Sequence, residues 1–358
     1  MSILEFVTFG CWNEGCKEGS VQEQVAKKLE ESQGKYKFLV LLGDNYYSNK
    51  VDYNNKNKKY FDINLEEMKH GFDCLRNINI PKKLILGNHD IEEGILQSCS
   101  NMKVQLRLPW YDIKFPYDFE NHIIITDPEN YKIVKFIYLD TTIYDTKYPI
   151  NSCYDRVLNK TAEQLIKEQY DFIRTQLNSL NPKLTNTVVF FGHEPLITFR
   201  FKKDGPIEHL SLLDNLFDLT KDLHEFYQFN YICADFHNFE EGYIEKIYSD
   251  NKVFRIHQLV FGTGGITKLD ERFNPNKDNR TNPDNYNCFM YKMMNRYSSY
   301  KEPEDYTVPP KQSNGYGEII INGEGLNYNF IPIDPEKYSV WKEKYLKYKN
   351  KYLSLKNI

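Results

Sequence analysis

Short apolar runs alternate along the chain with longer amphipathic stretches, a pattern typical of a protein that mixes strands and helices. The apolar runs predict strands at residues 5–10, 37–43, 83–86, 122–126, 133–139, 186–191, 230–234, 254–261 and 317–322. Helical spacing predicts helices at 20–32, 64–75, 162–180 and 211–227. Asp-Pro-Glu-Asn at 127–130 separates two of the strands and predicts a hairpin turn. The architecture therefore combines βα units with antiparallel pairing.

Residues 266–313 interrupt this rhythm, because they are rich in Asn, Pro, Lys and Tyr and poor in aliphatic residues. The pattern predicts a polar insertion without regular structure. Two interpretations are open at this point. The insertion is either a solvated loop or a lid beside an active site.

The last residues, 335–358, form a stripe of apolar and aromatic side chains with lysines on the other faces. The stripe consists of Trp341, Tyr345, Tyr348, Tyr352 and Leu355. This spacing predicts a basic amphipathic helix that follows a single domain of residues 1–334. The helix packs on its own domain or docks to a partner or an anionic surface. Tails of this kind resemble those on proteins of giant DNA viruses.

Composition excludes several classes of protein. The chain has 358 residues, is 41% hydrophobic and carries a net charge of −4, so nothing in the balance calls for a nucleic-acid partner. No apolar run reaches the roughly 18 residues of a transmembrane helix. The N-terminus lacks the features of a signal peptide, and the seven cysteines form no CxxC pair. We therefore expect an intracellular protein with reduced thiols.

Five of the predicted strands end in Gly or Ala and are followed by side chains that can bind a metal. These side chains are Cys11 after Gly10, Asp44 after Gly43, Asn88 and His89 after Gly87, His193 after Gly192, and Asp235 and His237 after Ala234. The carboxyl ends of strands line the ligand crevice of α/β sheets, and glycine permits a sharp turn there. Each occurrence alone is weak, but five in order predict one metal-binding edge.

The order of these motifs resembles that of calcineurin-like metallophosphoesterases, which run D-x-[HG], GDxx, GNH[DE], GHxx and GHxH. The GDNYY segment at 43–47 resembles the GDxxY of purple (tartrate-resistant-type) acid phosphatases, and residues 87–90 read GNHD. Smaller similarities continue to about residue 333. The resemblance implies an α/β fold of the α+β kind, a four-layer α-β-β-α sandwich of two mixed sheets flanked by helices.

The resemblance also implies a role for each matching position. Two metal ions would share one bridging carboxylate, and a metal-bound hydroxide would attack a phosphate ester. The family fills the first metal position with ferric iron and the second with a divalent ion. The implied roles are Asp44 as the bridge, Tyr47 and His237 on the first metal, Asn88 and His193 on the second, and His89 at the phosphate or the leaving group.

Two positions depart from the family pattern. Cys11 stands where the first motif has Asp, and Asp235 stands where GHxH has its first His. A thiolate is a soft ligand that favours zinc over ferric iron, whereas an added carboxylate suits Mg²⁺ or Mn²⁺ and weakens the Lewis acid. Cys11 is either a ligand or a small buried apolar residue. Asp235 is either a ligand or turns away to a hydrogen bond. We expect one or two ions, chosen from Fe, Zn, Mn and Mg.

Two functions remain open from the sequence. The first is a metal-dependent phosphomonoesterase that hydrolyses a phosphorylated substrate of unknown class. The second is a pseudophosphatase that keeps the fold as a scaffold or binding module. Arg200, Lys202 and Lys203 either steer a phosphorylated substrate or form a solvated loop.

Overall fold

The computed structural model describes residues 3–51, 60–62, 64–92, 99–108, 122–126, 131–144, 153–198, 208–247, 253–265, 290–297 and 314–333. The strands are β1 (Leu4–Phe9), β2 (Leu39–Leu42), β3 (Asn49–Val51), β4 (Tyr60–Asp62), β5 (Lys82–Ile85), β6 (His122–Thr126), β7 (Tyr131–Tyr138), β8 (Thr185–Phe191), β9 (Ile197–Thr198), β10 (Glu208–His209), β11 (Gln228–Cys233), β12 (Phe239–Ile247), β13 (Val253–Phe261), β14 (Met290–Tyr297), β15 (Gly315–Asn322) and β16 (Gly325–Pro332). The helices are α1 (Val21–Ser32), α2 (Leu65–Asp73), α3 (Ser100–Gln105), α4 (Cys153–Leu158), α5 (Ala162–Asn178) and α6 (Leu212–Thr220).

Most strands belong to two mixed sheets. The five-stranded sheet has the order β16-β15-β1-β2-β5, and the seven-stranded sheet has the order β14-β12-β13-β11-β8-β7-β6. In the seven-stranded sheet the central strands run parallel and the outer ones pair antiparallel. In the five-stranded sheet β1, β2 and the edge strand β5 run parallel, and β15 and β16 pair antiparallel at the other edge. The parallel strands therefore direct their carboxyl ends to one edge of each sheet, which is where the candidate ligands lie.

The strands of both sheets carry apolar side chains on both faces. One face of each sheet therefore packs against the other sheet, and the opposite face packs against helices. Phe6, Val40, Phe191 and Ile232 belong to the cluster between the sheets. Their neighbours along the same strands, such as Leu41, pack with apolar residues of the helices. Burial on both faces gives the α-β-β-α layering that was predicted.

Helix ends follow local signals in the sequence. Ser20 caps α1 by accepting the backbone N–H of Glu23, and Thr161 forms a capping box with Gln164 at the start of α5. Asn64 caps α2 in the same way. These caps satisfy N–H groups that would otherwise lack partners, so they fix where the helices begin.

All nine predicted strands are present, and their ends differ from the prediction by at most two residues. The hairpin is confirmed, since β6 and β7 pair antiparallel. The predicted helix at 211–227 is too long, because α6 ends at Thr220. Apolar residues continue at helical spacing beyond Thr220, which extended the prediction. In the structure Leu223 and Tyr227 lie in successive turns, and Tyr227 N–H donates to the carbonyl of Leu223.

The prediction of an unstructured insertion is wrong for residues 290–297. They form β14, which pairs with β12 at the outer edge of the seven-stranded sheet. An edge strand needs no apolar alternation on both faces, so the polar sequence did not reveal it. The rest of the insertion, the basic segment at 200–203 and the predicted helix at 335–358 lie outside the described residues.

The expectation of reduced thiols is wrong for four cysteines. Disulfides join Cys16 to Cys74 and Cys99 to Cys153, with Cα separations of 6.1 and 5.5 Å. The partners are 58 and 54 residues apart along the chain, so their spacing gave no signal. Disulfides persist mainly in oxidising compartments, and the cysteines therefore no longer support an intracellular setting.

Within the part of the chain that the structure describes, no helix has the length and apolarity that crossing a membrane requires.

Candidate metal centre

Backbone hydrogen bonds link neighbouring strand ends within each sheet, and Gly10 N–H donates to the carbonyl of Phe261 at 2.9 Å between the two sheets. Cys11 N–H donates to the carbonyl of Gly43 at 3.1 Å, and Ala234 N–H donates to the carbonyl of His193 at 2.8 Å. A Cβ placed on Gly10 would lie 2.5 Å from the Cβ of Ala234, which is closer than atoms can pack. Glycine at position 10 therefore permits the contact between the two sheets.

Three of the candidate ligands have a left-handed backbone. The φ angles are 53° at Cys11, 50° at Asp44 and 52° at Asp235. This region is uncommon for residues with a side chain, and it costs about 1 kcal/mol or more at each position. Such strain concentrates at functional sites because it directs a side chain to where the chemistry needs it. The turns after β1, β2 and β11 are therefore built to present these three groups.

The first donor set contains a thiol, a carboxylate, a phenol and an imidazole. One ligand atom each from Cys11, Asp44 and His237 lies within 4.8 Å of the other two. The Tyr47 hydroxyl lies 2.8 Å from Asp44 Oδ2 and 3.1 Å from His237 Nε2. Cys11 Sγ is 3.9 Å from the same carboxylate oxygen. These are the four residues that the sequence predicted for the first metal.

The second donor set is arranged around the imidazole of His193. Its Nε2 lies 3.0 Å from Asn88 Oδ1, 3.2 Å from Asp44 Oδ1 and 3.8 Å from Asp235 Oδ1. All four residues are buried. These are the four residues that the sequence predicted for the second metal.

Asp44 divides its two oxygens between the donor sets. Oδ2 faces the Tyr47 hydroxyl, whereas Oδ1 faces His193 Nε2. The backbone N–H of His89 also donates to Oδ1 at 3.0 Å, and this bond fixes the carboxylate plane. A carboxylate held in this way can bridge two cations.

The spacing of the donors fits metal ions. Ligand atoms about 2.1 Å from one ion stand roughly 3 to 3.5 Å apart. The distances from Tyr47 to His237 and from His193 to Asn88 and Asp44 lie in this range, at 3.1, 3.0 and 3.2 Å. His193 Nδ1 lies 2.7 Å from the carbonyl of Leu42, and this pairing orients the ring so that Nε2 faces two acceptor oxygens. A carbonyl partner on the outer nitrogen is the usual arrangement for a histidine that binds a metal through the other nitrogen.

A buried threonine holds the strand end that carries His193. Thr141 Oγ1 accepts the backbone N–H groups of His193 and Glu194 at 3.0 and 2.9 Å. Thr141 Oγ1 also contacts a carboxylate oxygen of Glu194. Burial raises the pKa of Glu194 to about 8, so this acid is mostly neutral near pH 7.

The carboxylate of Asp44 dominates the electrostatics of the candidate site. Burial opposes the charged form of Asp44, but the charges of His193 and His89 outweigh it and hold the pKa of that carboxyl below its ordinary value. Burial likewise disfavours charged imidazoles, yet Asp44 raises the pKa of His193 to about 10 and that of His89 to about 9. The cluster thus attracts positive charge, and a metal ion supplies it without a proton.

Asp90 ties two of the ligand-bearing turns together. Its carboxylate accepts the backbone N–H groups of Gly87, Asn45 and Tyr46 and the amide of Gln105. Burial raises the pKa of Asp90 to about 6, although these donors favour the ionised form. The sequence prediction gave Asp90 no role; its position in the GNHD motif was the available signal.

The structure brings all eight predicted site residues to one edge of the two sheets. The five-stranded sheet supplies Cys11, Asp44, Tyr47, Asn88 and His89, and the seven-stranded sheet supplies His193, Asp235 and His237. Sequence reasoning did not find Thr141 and Glu194 as supports. Both are identified only by contacts between distant segments.

Comparison with known proteins now gives the family. The family profile of the calcineurin-like phosphoesterases matches residues 20–239, and the chain belongs to this family. Members of the family bind metal ions. No curated protein sequence matches the chain.

Two solved structures show the same fold at low sequence identity. One is GAP50, described as the anchor in the inner membrane complex of Plasmodium, with 13% identity and a TM-score of 0.56 over 93% of this chain and 86% of that one. The other is the purple acid phosphatase PPD1 from yellow lupin (Lupinus luteus) seeds, with 15% identity and a TM-score of 0.53. That match covers 92% of this chain and 52% of the lupin chain, so the protein spans about half of that enzyme.

Proposed function

We propose that this protein is a metal-dependent phosphomonoesterase with an altered pair of metal positions. The observation that carries the proposal is the division of Asp44 between two donor sets, Oδ2 toward Tyr47 and Oδ1 toward His193. The family match and the fold shared with a purple acid phosphatase support it.

The chain's own residues would bind the cofactor and handle the proton. Cys11, Asp44, Tyr47 and His237 would hold one ion, and Asp44, Asn88, His193 and Asp235 the other. When bound, such a pair supplies an activated water and neutralises charge on the phosphoryl oxygens. His89 is partly exposed beside Asp44, where it would contact the phosphate or give a proton to the leaving group.

The two departures from the family pattern set the metal preference in this proposal. Cys11 makes the first position soft, which favours zinc over ferric iron. Asp235 adds a carboxylate to the second position, which favours Mg²⁺ or Mn²⁺ and lowers the acidity of any water activated there. The expected enzyme is therefore slower at neutral pH than one with a histidine at position 235.

A non-catalytic scaffold is the second candidate function. The observation that favours it is the similarity, over nearly the whole chain, to a Plasmodium protein described as an anchor. Cys11 and Asp235 would then be the traces of a lost active site. The partner of such a scaffold could dock to the predicted basic helix at 335–358.

Metal content and turnover, measured together, separate the two candidates. We expect purified protein to bind up to two equivalents of metal by elemental analysis and to hydrolyse para-nitrophenyl phosphate after loading with Zn, Mn, Mg or Fe. Asp44→Asn keeps the shape but removes the bridging charge, so it should lose metal and reduce turnover to background.

The matched control is Asp218→Asn, because Asp218 is an exposed aspartate on α6. It should keep both the metal content and the rate. Protein that holds no metal and shows no turnover with any of the four ions, from acidic to alkaline pH, would reject the enzyme and leave the scaffold.

A further inference from the structure

His89 stands at the proposed reaction centre on a short 3-10 helix, Asn88–Asp90. Its backbone N–H is bound to Asp44, and its ring lies 4.7 Å from the ring of Tyr47 between centroids. About a third of the side chain is exposed, at 32%, so a substrate can reach it. A histidine in this position needs a defined ring orientation before it can act on a leaving group.

Glu92 supplies that orientation three residues further along the chain. Its Oε2 lies 3.1 Å from His89 Nδ1. The carboxylate is only 8% exposed, so water competes weakly for this contact. Among the described residues, Nε2 of His89 has no hydrogen-bond partner. The pairing therefore leaves Nε2 as the ring nitrogen that is available to a substrate.

Two neighbouring helices contact the backbone around this pair. The Asn101 amide on α3 donates to the carbonyl of His89 at 3.1 Å. Cys153 Sγ at the start of α4 lies 3.9 Å from the carbonyl of Glu92. Because a disulfide joins Cys99 to Cys153, the ends of α3 and α4 are held together. The two helices that contact the backbone of His89 and Glu92 are thus joined by a covalent bond.

We propose that Glu92 is the positioning residue of His89. Its carboxylate accepts the Nδ1–H of the ring and keeps Nε2 directed at the leaving oxygen of the substrate. Glu92 acts through His89 and does not contact the substrate itself. The inference rests on the proposed function for its kinetic part, while the hydrogen bond can be tested without turnover.

The kinetic test uses three variants. Glu92→Ala should lower kcat about 10- to 100-fold with little change in KM, since substrate binding is kept and ring orientation is lost. Glu92→Gln still offers an acceptor oxygen and should recover most of that loss. In a His89→Ala background, Glu92→Ala should cost nothing more, because the two residues act as a unit. Glu66→Ala, at an exposed glutamate on α2, is the control and should match wild type.

The structural test is the proton NMR signal of His89 Nδ1–H, assigned by its disappearance in His89→Ala. We expect a downfield, exchange-protected signal in wild type and Glu92→Gln and its loss in Glu92→Ala. An unchanged signal and rate in Glu92→Ala would overturn the proposal, as would an additive loss in the double variant. If wild type shows the Glu92-dependent signal but no turnover, the pairing stands and the phosphomonoesterase function fails.

Discussion

Cys11 is the residue whose chemistry most separates this site from one that holds ferric iron. It is fully buried and has a left-handed backbone, and its Sγ lies within 4.8 Å of a ligand atom of Asp44 and of His237. A buried residue that only filled space would need neither the strained conformation nor a place among polar donors. Both observations favour Cys11 as a ligand over Cys11 as a small apolar filler.

Replacing the thiol should therefore change which metal binds. We expect wild type to prefer zinc or cobalt and to show a thiolate-to-cobalt charge-transfer band when loaded with cobalt. Cys11→Asp restores a hard carboxylate, so this variant should accept ferric iron and show the visible band of an iron-bound tyrosinate from Tyr47. Absorption spectra and metal analysis of both proteins provide the measurement.

The control for this change is Cys233→Ser, because Cys233 is the other buried free cysteine among the described residues. Its thiol donates to the carbonyl of Leu259, which a serine hydroxyl can also do. This variant should keep the metal preference of wild type. A tyrosinate band in iron-loaded wild type would show that Cys11 does not exclude ferric iron.

At the residue scale, the sequence could predict which candidate residues lie at one edge of the sheets, but not their geometry. Position after a strand was enough to select Asp44, Asn88 and His193, because parallel strands end at one edge. The supporting contacts of Glu92 and Thr141 could not be found in the same way. Glu92 lies only three residues from His89, but a glutamate at that spacing is a common pattern and gives no signal. Thr141 reaches the backbone of His193 only when the chain is folded.

At the scale of elements, the apolar runs identified the strands that are buried on both faces. The strands that were missed are polar or lie at edges, and β12 is the clearest case. It contains the buried Glu240, Glu241 and Glu245, which make its sequence resemble a loop. Glu241 is paired with His257, and Glu245 with Arg255, across the adjacent strand. Cross-strand pairing of charges replaced the apolar alternation on which the prediction depended.

The segment after α6 makes stability depend on pH. His224 lies between the rings of Phe229 and Phe254, and burial lowers the pKa of His224 to about 4. The unfolded chain takes up a proton below about pH 6.5, while the folded chain resists it until about pH 4. The contribution of His224 to the free energy of unfolding is therefore fully present above about pH 6.5. It falls by roughly 3 kcal/mol at most as the pH decreases to about 4.

His224→Phe should remove this dependence, because a phenyl ring can still pack between Phe229 and Phe254 and cannot take up a proton. The variant loses the contacts of the ring nitrogens with Thr220 and Arg255, which lowers its stability at every pH. The measurement is the free energy of unfolding by urea at several pH values for both proteins. The difference between them should grow in favour of the variant as the pH falls from about 6.5 to 4. A constant difference across that range would show that His224 does not titrate as expected.

At the scale of the whole molecule, the candidate centre joins the two sheets. The five-stranded sheet provides Cys11 and Asn88, the seven-stranded sheet provides His193 and Asp235, and Asp44 stands between the donor sets. The sequence indicated that these groups share an edge. It could not indicate that each donor set takes residues from both sheets, because the packing of one sheet on the other depends on every inward-facing side chain.

A centre that spans both sheets should stabilise the folded chain when metal is bound. Free metal at a hundred times its dissociation constant adds about 2.7 kcal/mol to the free energy of unfolding, provided that the unfolded chain binds it weakly. We expect a chelator to lower the midpoint of thermal unfolding and added zinc or manganese to restore it. The Asp44→Asn variant removes the charge shared by both donor sets, so its midpoint should respond to neither treatment. If metal stabilises that variant as much as wild type, the cations bind elsewhere, and the two sheets are held together by their apolar core alone.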